Sequence, residues 1–246
     1  MQDDTDFVIQ PERGKNEREI PQRGLLFVNP PDFKTAVKLI GNENWERRFI
    51  FNSNLYLDCN KQLFIAGPAV GAPMAVMVLE KLIALGAHDI TVFGWAGGLG
   101  DGDKVGDIVL VKETHVGEGT SQYYGAEKLL PMSRKCVEIL ERLKDNKAFD
   151  ESCRFSRVWS TDAPYMESRR QLKLLKNDLE VDTVDMECSA LHTVARYRKI
   201  EINEILIISD LPLSGEWKPG YKSKEFNRKV MDTIELLIDK KRVGEI

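Results

Sequence analysis

Ile205, Leu206, Ile207 and Ile208 follow one another without a polar break and run directly into Ser209 and Asp210. A strand that is apolar on both sides of its pleat has to be covered on both faces. That is the condition of a strand inside an α/β sheet with helices above and below it. Upstream, residues 186–198 continue without Gly or Pro after Asp185, which stands where a helix N-cap belongs. Residues 181–210 therefore read as a short strand, a helix, and a strand ending on an acid. Asp210 falls at the carboxyl end of its strand, where open α/β sheets hold their ligands. Glu187 stands one or two turns below Leu191 and Val194, so its carboxylate shares a face with apolar residues. Either the two acids converge on one pocket, or Glu187 complements a helix dipole and Asp210 caps a turn.

The rest of the chain repeats this grammar. Buried strands are expected at 25–28, 63–66, 90–93 and 155–159, and a strand pair at 47–52 and 55–59 joined by turn residues. Helices are expected at 33–40, after the GPAVGAP segment with Pro73 in its first turn and Gly86 as its stop, at 132–146, at 167–176 and at 223–241. In the last of these Phe226, Val230, Ile234 and Leu237 form the inward face, and in the helix at 132–146 Val137, Leu140 and Leu143 do so. Residues 1–6 are expected to be disordered and 7–9 to form a short edge strand. Gly94-Trp95-Ala96-Gly97-Gly98-Leu99 reads as a Gly-rich turn that lets a ligand approach the backbone. It is not a dinucleotide fingerprint, because no G-x-G-x-x-G spacing follows the strand. Nor is the segment from Asp101 a calcium loop, since Val105 and Lys112 occupy ligand positions. After Asp210, residues 211–221 contain Gly215 and Gly220 and read as a mobile flap. The expected architecture is a single α/β domain over residues 1–246, three layers deep, with a mostly parallel, twisted mixed sheet between helices.

A formal net charge of −4 over 246 residues argues against nucleic acid or an anionic membrane as the main partner. The longest uncharged apolar stretch, 63–79, is broken by Gly67, Pro68, Gly71 and Pro73, so no membrane span is expected. The acidic start lacks a signal-peptide core, which points to the cytoplasm. Cys59, Cys136, Cys153 and Cys188 form no C-x-x-C pair and read as reduced thiols. His88, His115 and His192 show no metal-ligand spacing, so zinc, and metal generally, is not expected. Trp45, Trp159 and Trp217 read as packing residues; Tyr123, Tyr124 and Tyr165, in loops, are the better ligand contacts.

Seven segments, taken in order, resemble the nucleoside phosphorylase superfamily, which includes purine nucleoside and uridine phosphorylases and the methylthioadenosine/adenosylhomocysteine nucleosidases. They are VGAP at 70–73, GWAGGL at 94–99, KVGDIVLV at 104–111, EGTSQYYG at 118–125, STDAPYMES at 160–168, VDMECSAL at 184–191 and IISD at 207–210. The resemblance implies a partly barrel-like sheet and cleavage of an N-glycosidic bond by a pentosyltransferase-type enzyme. It implies no cofactor, with inorganic phosphate as a possible co-substrate, and a homo-oligomer, a dimer or a hexameric ring. It places Glu187 on the sugar hydroxyls, Met186 against the sugar, and Ala96 and Gly97 along base and sugar. Tyr165, Arg170 and Ser209 complete the substrate contacts, and Asp210 is the acid that serves the leaving base. The chain departs from the phosphorylase pattern at the nucleophile. Lys34 and Arg48 are the cations offered to phosphate, Val92 stands where an Arg is usual, and Trp95 replaces a small hydroxyl residue. The nucleosidase branch needs an acid near its N-terminus to activate water, and Glu12 is the counterpart considered. The base pocket is mixed: Ser168 replaces a uracil-reading Gln, Arg170 keeps that branch's cation, and Asp210 points to a purine. Phosphorolysis of a nucleoside, purine favoured over uridine, is the first expectation. Hydrolysis by water, or nucleoside binding without turnover, is the alternative.

Overall fold

The computed structural model describes residues 7–41, 43–60, 62–132, 137, 141, 153–217 and 219–243. The expected disordered start at 1–6, Cys136 and nearly all of the expected helix at 132–146 lie outside them. Ten strands among the described residues join in one sheet, in the order β10-β6-β8-β9-β5-β1-β4-β3-β2, with β7 attached to β6. They are β1 (Arg23–Phe27), β2 (Trp45–Ile50), β3 (Ser53–Asp58), β4 (Phe64–Gly67), β5 (Asp89–Gly98), β6 (Ile108–Val116), β7 (Leu129–Pro131), β8 (Arg154–Ser160), β9 (Thr183–Asp185) and β10 (Glu201–Asp210). Among the described residues five α-helices accompany them: α1 (Pro30–Ile40), α2 (Ala72–Ala84), α3 (Arg169–Leu179), α4 (Cys188–Arg198) and α5 (Lys224–Val243).

β4, β1, β5 and β10 run parallel, as their uninterrupted apolar sequences require. β10 also pairs with β6, β6 with β8, β8 with β9, and β9 with β5. Those five strands close on themselves, which is the barrel-like part of the expected sheet. One face of the sheet packs on α2 and α4 through Ala75, Leu79, Leu82, Leu191 and Val194. The other packs on α1 and α5 through Phe33, Ala36, Phe226, Val230, Ile234 and Leu237. The inward face expected for the C-terminal helix is the observed one.

Four local expectations change. Residues 7–9 form no strand and are exposed. α1 begins at Pro30 rather than Phe33; both prolines sit in the first turn, where a missing N–H costs no hydrogen bond. The glycines at 94, 97 and 98 do not make a turn: β5 continues through them, and Gly97 and Gly98 pair with Val184 and Thr183. What their missing side chains allow is close packing. A Cβ at Gly94 would stand 2.7 Å from Val28, and one at Gly97 2.8 Å from Pro212. Finally, α4 starts at Cys188, with Glu187 at the N-cap position. Asp185 still caps it, from three residues upstream: its Oδ2 accepts from the N–H groups of Glu187 at 3.0 Å and Cys188 at 2.7 Å.

Candidate functional site

The carboxyl end of β10 and the end of β9, which pairs antiparallel with the last residues of β5, bring the expected acids to one edge of the sheet. Asp210, the last residue of β10, is in register with Gly97 of β5, and Gly97 is in register with Val184 of β9. Met186 and Glu187 follow directly after β9. Glu187 turns back toward the loop after β4, where its Oε1 accepts from the N–H of Gly71 at 2.5 Å. Gly71 has a φ of 81°, the left-handed region that favours glycine, so this N–H is aimed by a backbone few other residues adopt. Glu187 is buried, and burial together with the adjacent Asp185 charge pushes its carboxyl above the usual range.

Asp210 is held from two sides. Its Oδ1 accepts from the Ser209 hydroxyl at 2.7 Å, and its Oδ2 from the indole N–H of Trp217 at 2.7 Å. Trp217 was expected to be a packing residue. It is instead 53% exposed and reaches across from the loop that follows Asp210. Ser209 also lies 3.4 Å from the carbonyl oxygen of Ala96, so Ala96, Gly97, Ser209 and Asp210 form one group. Glu167 is a neighbour that sequence patterning did not single out. Burial, and then the charge of Asp210, raises its carboxyl to about 7. Glu167 therefore carries a proton for part of the time near neutral pH.

The other expected contacts are less gathered. Tyr165 lies fully exposed on a 3-10 turn at Pro164–Met166, just before Glu167. Arg170 is exposed on α3, and it is Arg169 that reaches the loop after Asp210, donating to the carbonyl oxygen of Gly215. Ser168 is the N-cap of α3, its hydroxyl accepting from the Gln171 N–H.

The residues offered to phosphate do not meet in this chain. Lys34 is exposed on α1. Arg48 lies on β2, where its Nε donates to Glu46 at 2.8 Å and a terminal nitrogen donates to the Arg18 carbonyl oxygen at 2.9 Å. Trp95 stacks on Tyr221 at 5.2 Å between ring centroids and meets Phe226 edge-on at 5.3 Å. Beside it, in the first turn of α1, is Asp32, buried at 1% exposure. Burial drives the Asp32 carboxyl up to about 7, and the Asn29 side chain and the Trp95 indole only partly offset this. Neither Oδ2 of Asp32 nor Nε1 of Trp95 completes a well-formed hydrogen bond. The signal in the sequence was an acid directly after two prolines; its burial depends on β5 lying alongside.

Asp32 carries a pH prediction. Its folded-state pKa is above its unfolded value, so its contribution to stability is complete below about pH 4 and is lost as pH rises through about 7. Asp32→Asn, which resembles the protonated form, is expected to remove that loss. The wild type should weaken relative to the variant between pH 4 and 8, by up to about 4 kcal/mol at roughly 1.4 kcal/mol per pKa unit. Urea unfolding at each pH measures it; a difference that stays constant with pH contradicts the assignment.

Behind Glu187 the polar interior continues. Asp185 Oδ1 accepts from Ser160 Oγ at 2.5 Å, and Ser160 Oγ in turn accepts from the Ser189 N–H at 2.9 Å. Glu118 accepts from the hydroxyls of Ser121 and Ser189, the latter at 2.8 Å. The polar residues quoted from the 118–125 segment thus brace α4.

The chain matches the model of the phosphorylase superfamily over residues 26–239. It is 26% identical over 178 residues to a guanosine phosphorylase of Halorubrum lacusprofundi, the match covering 72% of each chain. Its fold is that of a uridine phosphorylase from Vibrio fischeri, with a TM-score of 0.74 at 20% identity over 91% of this chain and 90% of that one. It is likewise similar to a 5'-methylthioadenosine/S-adenosyl homocysteine nucleosidase of Campylobacter jejuni, with a TM-score of 0.71 at 13% identity over 89% and 96%. At these identities the two structures establish the fold.

Proposed function

The chain belongs to the phosphorylase superfamily, and from that membership we propose that it cleaves the N-glycosidic bond of a nucleoside, a purine nucleoside before a pyrimidine one. The observation that carries this reading is the placing of Glu187 and Asp210 at one carboxyl edge of the sheet, each held by donors that fix its direction. As the bond to the base lengthens, positive charge develops on the ribose ring. Glu187, locked by Gly71, accepts from the sugar hydroxyls and stabilises that charge in a site with little water. The departing base gains electrons and needs a proton or a hydrogen bond. Asp210, backed by the proton-holding Glu167, stands where it can supply one.

Phosphorolysis is the reading supported by the named phosphorylase relative. In it a phosphate oxygen bonds to C1′ as the C1′–N bond breaks. One observation favours a second reading, hydrolysis. The residues offered to phosphate do not meet, and at the Gly-rich segment the chain sets the indole of Trp95 beside the acid Asp32, whereas a phosphate dianion needs fixed positive charge. In hydrolysis a water oxygen bonds to C1′ as the C1′–N bond breaks, and a nearby base takes the water's proton.

Purified protein is to be incubated with a panel of purine and pyrimidine nucleosides, with and without phosphate, while free base and ribose 1-phosphate are followed. Base release only with phosphate, and with ribose 1-phosphate, establishes phosphorolysis. Release independent of phosphate, with free ribose, establishes hydrolysis. No base released from any nucleoside at high enzyme concentration overturns the proposal.

A further inference from the structure

Asp185 and Cys188, three residues apart, meet Glu204 from a separate strand in the interior behind α4. Asp185 ends β9, Cys188 opens α4, and Glu204 lies in the middle of β10. One ligand atom of each lies within 4.8 Å of the others, and all three residues are buried. Glu204 is 0% exposed in a strand that otherwise carries Ile202, Leu206 and Ile208 on that face, and neither of its carboxylate oxygens has a well-formed hydrogen bond. His192 supplies an independent observation. It is one helical turn after Cys188, on the same face of α4. Its Nε2 is buried without a partner and lies 3.6 Å from Oε1 of Glu204. Among the described residues no lysine or arginine pairs with Asp185 or Glu204.

Glu204 and His192 Nε2, buried without well-formed hydrogen bonds, are costly unless something neutralises them. One thiolate, one imidazole and two carboxylates are the ligands of a tetrahedral zinc ion. Bonds of about 2.0 to 2.3 Å put ligand atoms roughly 3.3 to 3.8 Å apart, so Asp185, Cys188 and Glu204 would draw in from within 4.8 Å and the His192 ring, 3.6 Å from Glu204, would turn in to join them. Asp185 is already oriented by Ser160 Oγ and by two backbone N–H groups, and each of its oxygens keeps a second lone pair. His192 lines a cleft of about 320 Å³ shared with Leu130, Pro131, Ala195, Arg196 and Ile202.

We propose that Asp185, Cys188, His192 and Glu204 bind one zinc ion in a closed structural site behind the sugar-binding edge. Histidine spacing hides such a site, because only one histidine takes part and two ligands come from strands. The ion fixes Asp185, whose carboxylate holds the N–H groups of Glu187 and Cys188, so it sets the direction of the acid that faces the sugar. The binding claim itself does not rest on the glycosidic activity.

The full chain, equilibrated with excess zinc and freed of loose metal by gel filtration, is to be assayed by plasma mass spectrometry. About one zinc per chain is expected. The cobalt-substituted protein should show a thiolate-to-cobalt charge-transfer band, and a strong chelator should lower the Tm. Cys188→Ser and Glu204→Gln should each lose the metal and the band. Glu204→Gln removes a buried acid without changing volume, so it answers the question even where Cys188→Ser fails to fold. Wild-type protein that is folded yet holds below about a tenth of an equivalent overturns the proposal. So does zinc retained undiminished by Glu204→Gln, which places the ion elsewhere.

Discussion

Glu187→Ala is expected to lower kcat/KM for nucleoside cleavage by roughly two orders of magnitude or more, about 3 kcal/mol of transition-state stabilisation. The loss should fall mainly on kcat, because the charge that Glu187 meets is largest when the ribose ring is most cationic. The fold should survive. The substitution removes a buried carboxyl whose ionisation is disfavoured by burial and by Asp185, and leaves only the Gly71 N–H without its acceptor. Circular dichroism and thermal unfolding separate the two effects. A variant that stays folded and turns over within about threefold of wild type removes Glu187 from the chemistry.

Phe226→Ala is the substitution expected to cost most stability. Phe226 is among the largest fully buried side chains, at 1% exposure, and it joins α5 to the sheet face that carries Phe27, Phe93 and Ile207. Truncating a buried Phe typically costs about 3 to 5 kcal/mol, the transfer term plus the cavity left behind. Trp95 would also lose its edge-on contact with the ring. Urea unfolding at neutral pH reads it from the shift in midpoint at unchanged slope. A loss below about 1 kcal/mol would mean that α5 is held by the other residues of its inward face.

Much of this fold was legible from local pattern. The uninterrupted apolar runs at 25–28, 63–66 and 205–208 are strands covered on both faces, and the inward face of α5 is the one its spacing predicts. Asp210 does end its strand, and Asp185 does cap α4, though from two positions further away than expected. The misreadings have a common cause. Gly94, Gly97 and Gly98 carry turn chemistry in isolation, but a strand accepts glycine where neighbouring side chains occupy the space a Cβ would take. Trp217 is set apart from core tryptophans by its partner, Asp210, seven residues away across a loop.

Periodicity, capping residues and prolines determined which segments are strands and helices, because those preferences act over three or four residues. The order of motifs sufficed to indicate the family. Only the folded chain decided what stands beside what: Asp32 against Trp95, Glu167 near Asp210, and Glu204 beside Cys188 and His192. Each of these pairs joins residues brought close by the sheet rather than by the chain. Their burial, and hence the proton affinity of the acids in them, is set by neighbours that no local reading can supply.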